Sequence, residues 1–146
     1  TPMSNFKTRL TTDYLVIHCS GTPEGKPFKA RDIDRWHREK GWQGIGYHFV
    51  IELDGTVTAG RPIGAIGSHV AGHNANSLGI CYIGGVAADG VTAKDTRTKE
   101  QKAALVKLIA DMRVIYPNAV VQGHRDFKGV AKACPSYNAK KEHASI

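Results

Sequence analysis

Two short runs, YLVIHC at 14–19 and LGICYI at 78–83, carry apolar side chains at consecutive positions. A strand with one face in water alternates apolar with polar residues, whereas one that is apolar throughout needs other layers against both faces. Both runs therefore belong inside a covered sheet, and the class this demands is α/β. The rest of the chain supplies the covering. Residues 31–40, RDIDRWHREK, space Ile33, Trp36 and His37 at i, i+3 and i+4, and Gly41 is a helix stop. Thr98 to Tyr116 is the clearest helix. Thr98 and Gln101 have capping-box spacing, Leu105, Leu108, Ile109, Met112 and Ile115 form an apolar stripe, and Pro117 ends it.

The stretch YHFVIELDGTVTAGR reads as a hairpin turning at Asp54-Gly55, with Tyr47, Phe49, Ile51 and Leu53 expected on one face. An antiparallel hairpin makes the sheet mixed. PIGAIGSHVAGHNANS has no period and reads as a long loop, a kind of segment that is often functional. AVVQGH is a last short strand, and PSYNAKKEH a terminal helical turn. The expectation is a single α/β domain with a central mixed β-sheet flanked by helices. Residues 1–12 are polar and expected to be a flexible segment, leaving the domain proper to 13–146.

Hydrophobic content of 41% and charged content of 23% suffice for a core without disulfide staples. Three cysteines cannot all pair, which suits synthesis in a reducing cytoplasm. Cys19 and Cys81 lie in apolar runs and read as small buried hydrophobes, while Cys134 sits in a basic stretch punctuated by Gly and Pro. No apolar run approaches the roughly 20 residues that span a bilayer, and the N-terminus lacks the apolar region of a secretory signal. The net charge of +7 favours polyanionic partners, but the basic residues are dispersed, with none of the runs that mark a nucleic-acid arm.

The chemistry-bearing residues are His18, His124 and Cys134. Each histidine ends a strand, where the active sites of open α/β sheets tend to lie, and Cys134 follows His124 by ten residues across a Gly-containing loop. Two N ligands and one S ligand would leave tetrahedral zinc an open position for water. A histidine ending a strand is also often a structural one, so spacing alone leaves the metal and the structural readings equally open. There is no H-E-x-x-H, G-x-S-x-G, Walker loop or paired C-x-x-C.

The strings VIHCS, HREKGWQGIGYHFVI, GSHVAGHNANSLGICYIGG and KACPSY, in this order, resemble the zinc-dependent N-acetylmuramoyl-L-alanine amidases, above all the phage lysozyme type or endolysins. That family shares its fold with peptidoglycan recognition proteins, and the resemblance spans about residues 13–137. It implies Zn2+ held by His18, His124 and Cys134, with Tyr47 beside the zinc-bound water and Lys132 as catalytic lysine. It also implies that His69 and Asn76 line the substrate groove. RPIGAIG is a neutral version of a loop that varies in the family, which bears on peptide selectivity.

The residues around these positions read more plainly. His37 and Trp36 are expected in core packing, His48 in a structural hydrogen bond, and His73 in solvent. His143 is uninformative. Asp126 is a candidate to orient a ligand imidazole.

The resemblance implies a peptidoglycan hydrolase cutting between N-acetylmuramic acid and L-alanine. The alternatives are a non-catalytic peptidoglycan-binding module and a basic nucleic-acid- or protein-binding regulator. A pure binder has no need of a water-bearing zinc, and the dispersed charge argues against nucleic acid as primary partner. The expectation is a monomer that does not insert in membranes. It would be made in the host cytoplasm without a signal peptide and reach the wall once the membrane is permeabilised. A secondary protein partner is compatible with the sequence.

Overall fold

A computed structural model describes residues 6–130 and 133–146. In chain order its elements are β1 (Tyr14–Cys19), β2 (Thr22–Pro23), α1 (Ala30–Glu39), β3 (Phe49–Ile51), β4 (Val57–Ala59), β5 (Ser77–Tyr82), β6 (Gly85–Val86), α2 (Lys99–Ile115), β7 (Val120–Gly123) and α3 (Ala139–Glu142). The main sheet has five strands in the order β4-β3-β5-β1-β7. β1 runs parallel to β5 and β7, β3 runs parallel to β5, and β3 and β4 pair antiparallel. The two runs read as doubly buried are thus the adjacent central strands, and the sheet is mixed as expected.

The two faces carry different layers. Leu15 and Ile17 of β1 and Leu78, Ile80 and Tyr82 of β5 pack against Leu105, Leu108, Ile109 and Met112 of α2. Val50, Cys81 and Ile83 on the other face pack against Ala30 and Ile33 of α1. Leu105 and Ile109 are fully buried, each contributing roughly 1.5–3 kcal/mol relative to exposure. α2 starts as its sequence requires: Gln101 N–H donates to the Thr98 hydroxyl at 3.0 Å, and Thr98 N–H to the Gln101 side-chain oxygen at 2.9 Å. Ile115, expected in the stripe, is exposed because it belongs to the last turn, beyond the reach of the sheet.

Three further departures have local causes. The hairpin turns at Asp54-Gly55, but its four expected residues divide between faces: Phe49 packs toward α2 with Ile51, whereas Tyr47 and Leu53 pack on the α1 side with Val50. β3 is only three residues long, and the chain bends at His48 and turns at Leu53, so period-two alternation stops at both ends. The short parallel pair β2–β6 was not anticipated. Finally, part of the expected flexible segment is tied down. Arg9 N–H donates to the Gly64 carbonyl at 2.7 Å, and its buried guanidinium donates to the Ala65 carbonyl at 2.8 Å and the Tyr116 hydroxyl at 3.1 Å. A buried guanidinium persists only with such partners.

Candidate metal centre

Parallel pairing brings the two histidines together. β1 and β7 are in register with Ile17 opposite Gly123, so His18 and His124 emerge side by side at the same end of the sheet. Their ring centroids are 4.7 Å apart. His18 shares its face with Val16 and Tyr14, and that face is closed by Val70 and Phe127. At the end of β7 the chain makes a tight helical turn, His124–Asp126. The Asp126 carboxylate accepts from Gly123 N–H at 2.8 Å, so it fixes this turn through the backbone. That is the contact found for the residue considered as an imidazole partner.

Cys134 is carried back by two backbone contacts. Arg125 N–H donates to its carbonyl at 2.9 Å, and Cys19 N–H donates to its sulfur at 3.1 Å. His18 Nδ1 lies 3.9 Å from that sulfur. One donor atom from each of His18, His124 and Cys134 falls within 4.8 Å of the others. Tetrahedral zinc at ordinary bond lengths holds N and S ligands roughly 3.3–3.6 Å apart, so small side-chain rotations close the set on a cation. Two imidazoles and a sulfur suit zinc. The hydrogen bond with the Cys19 side chain, and then burial, push the Cys134 thiol up, so cation binding here would release a proton.

Around these donors, Tyr47 sets its ring 5.0 Å from that of His18, and burial holds its phenol well above the usual value. His69 stands edge-on to His18, with Nδ1 2.8 Å from His18 Nε2. Burial keeps its imidazole neutral well below the usual histidine range. Both belong to a cleft of about 900 Å³ whose lining includes the three donor residues, with Trp36, His37 and Trp42 on its α1 side. Trp36 and His37, expected as packing residues, thus also face the cleft. His37 Nδ1 accepts from Gly46 N–H at 2.9 Å. His48 makes the structural hydrogen bonds expected of it, accepting from Gly79 N–H at 3.0 Å and reaching the Ala65 carbonyl at 2.8 Å.

One expected site residue lies elsewhere. Asn76 is absent from the cleft lining; its side-chain amide donates to Asp13 at 3.0 Å. Asn74 lines the cleft instead, because the helical turn Asn74–Asn76 points alternate asparagines apart, and its side-chain oxygen accepts from His69 and Val70 N–H, each at 2.8 Å. Lys132 falls outside the described residues. His73, read as solvated, is half-buried with its ring 4.5 Å from that of Phe127. His143 is buried and bonded to the Tyr137 hydroxyl at 2.8 Å. The sequence reading passed over Ser77 and Gly79, which lie under His69. The small residues of NSLG within a strand are the signal for such a close approach.

A mixed sheet with three N/S donors converging at its strand ends, open to a cleft, suits the class of metal-dependent hydrolases. The sequence is consistent with that class and narrows it. Residues 8–137 match the family described as N-acetylmuramoyl-L-alanine amidase, and the chain belongs to that family. It is 41% identical over 136 residues to the endolysin of Enterobacteria phage K11, covering 93% of this chain and 88% of that one. Identity to the endolysin of Escherichia phage T7 is 40% over the same shares. Among solved structures, the endolysin amidase LysCS from Clostridium intestinale superposes with a TM-score of 0.78 at 30% identity, over 94% of this chain and 83% of that one. Drosophila PGRP-LB superposes with a TM-score of 0.74 at 29% identity, over 96% and 82%. The chain is an amidase acting on peptidoglycan, as its family membership defines. No helix among the described residues is long and apolar enough to cross a membrane.

Proposed function

We propose that this amidase uses Zn2+ held by His18, His124 and Cys134 to cleave the bond between N-acetylmuramic acid and L-alanine, as an endolysin does. The observation that carries the proposal is the convergence of those donor atoms within 4.8 Å in the cleft. Zinc bound there would supply a water that ionises near neutral pH and a Lewis acid for the amide carbonyl.

The chain's own groups supply the rest. Tyr47, neutral because its phenol is pushed up by burial, keeps a proton to donate toward the leaving L-alanine nitrogen. Lys132, two residues before Cys134 in sequence, offers positive charge where the carbonyl oxygen becomes an oxyanion. Trp36 and Trp42, lining the cleft, give the substrate an apolar wall. The enzyme works as a monomer on the bacterial wall after the membrane has been permeabilised. A purely binding role is disfavoured by the intact donor set.

Digestion of purified cell wall with and without a chelator tests this. New free L-alanine amines that vanish with chelation are expected. New reducing sugar ends, or release that survives chelation, would overturn it.

A further inference from the structure

We infer that His69 and Ser77 are positioning residues that set the tautomer of His18 and so fix which of its nitrogens faces the metal centre. The inference rests on the zinc reading above and concerns residues to which that reading gives no such role.

The argument starts at the far end, inside the sheet. Ser77 is fully buried at the start of β5, and its hydroxyl donates to the His73 carbonyl at 2.7 Å. A hydroxyl has one proton, so toward His69 Nε2, 3.3 Å away, the same oxygen can only accept. His69 therefore carries its proton on Nε2. A neutral imidazole has one ring proton, which leaves His69 Nδ1 as an acceptor. That nitrogen is the one 2.8 Å from His18 Nε2, so His18 in turn donates from Nε2. Its Nδ1 is left with a lone pair, and Nδ1 is the nitrogen 3.9 Å from the Cys134 sulfur, on the side where the donors converge. A metal ligand needs that lone pair, and a partner on the other ring nitrogen is how proteins secure it.

The seat of His69 is built for this. Asn74 clamps the backbone N–H groups of His69 and Val70. Gly79 of β5 leaves the floor open: a Cβ there would stand 2.8 Å from Cγ of the His69 ring. Both ring nitrogens of His69 are thus engaged within the protein, so from the cleft wall it acts on His18.

The test reads tautomers and affinity directly. Nitrogen-15 NMR of the histidine side chains should find both His18 and His69 protonated at Nε2 in the wild-type protein. Zinc affinity, measured by competition with a chromophoric chelator, should fall about tenfold in Ser77→Ala and about 10- to 100-fold in His69→Ala. His69→Gln, whose side-chain oxygen can accept from His18 Nε2, should recover part of that loss. His69 protonated at Nδ1 in the wild type, or Ser77→Ala binding zinc as tightly as wild type, would overturn the inference. If Ser77→Ala does not fold, the wild-type tautomers decide alone. A folded wild-type protein that binds no zinc would remove the metal reading itself, an outcome distinct from unchanged affinity in the variants.

Discussion

The backbone N–H of Cys19 donates to the sulfur of Cys134 at 3.1 Å, which ties the end of β1 to a turn 115 residues away in sequence. A backbone donor aimed at a sulfur favours its thiolate form, the form that binds metal. The same strand end therefore supplies one donor through the His18 side chain and steadies another through the next peptide unit.

Tyr47 is the test of proton delivery. Tyr47→Phe keeps the ring beside His18 and removes the hydroxyl. The expected result is a kcat lower by about 10²- to 10⁴-fold with zinc content unchanged, measured by L-alanine amine release and by metal analysis of the same sample. Full activity in the variant would take the phenol out of the mechanism.

Lys132 is assigned by resemblance to the family, and its variant separates two roles. Lys132→Ala should lower turnover by about 10²- to 10³-fold while zinc is retained. Loss of metal together with activity would instead make Lys132 a support for the Cys134 turn.

Acid stability follows from His48. Burial depresses its pKa to about 4 in the folded protein, against about 6.5 in an unfolded chain. Between those values the unfolded chain binds the proton and the folded one does not. The stabilisation is therefore complete above about pH 6.5, is lost as the pH falls toward about 4, and amounts to about 3 kcal/mol. His37, also depressed to about 4, first by burial and then by Lys40, acts in the same window. Urea midpoints at pH 7, 5.5 and 4 should fall steadily, and His48→Gln should flatten the slope. A wild-type midpoint that does not change over this range contradicts the assignment.

Much of this was legible in the sequence where a local pattern determines the answer. β1 and β5 announced themselves by two-faced apolarity, and α2 by its stripe and its Thr98–Gln101 cap. The donors at 18, 124 and 134 could be placed because each sits in a distinctive string. What escaped depended on geometry that no period carries. The bend at His48 turned Tyr47 to the face that bears His18. One helical turn exchanged Asn76 for Asn74 in the cleft. Ser77 reads as an ordinary strand residue until the hydroxyl's two contacts are seen together.

Wall targeting by charge is the remaining test. A net charge of +7 spread over the surface should draw the enzyme to anionic wall polymers through long-range attraction. Such attraction is screened as the Debye length shrinks from about 10 Å at 0.1 M salt to about 3 Å at 1 M. Sedimentation with purified walls should show binding weakening severalfold across that range, and binding indifferent to salt would assign targeting to the cleft alone.

His18 and Cys134 stand 116 residues apart in the chain, so a cation shared between them staples the first strand of the sheet to its last segment. An ion that the folded chain gathers and the unfolded chain cannot shifts the folding equilibrium by mass action: each tenfold of free zinc above the dissociation constant adds about 1.4 kcal/mol. With zinc bound there, the enzyme's endurance would be partly a property of its surroundings. Moving from a compartment where zinc is scarce to one where it is plentiful would toughen the protein and arm it in the same event.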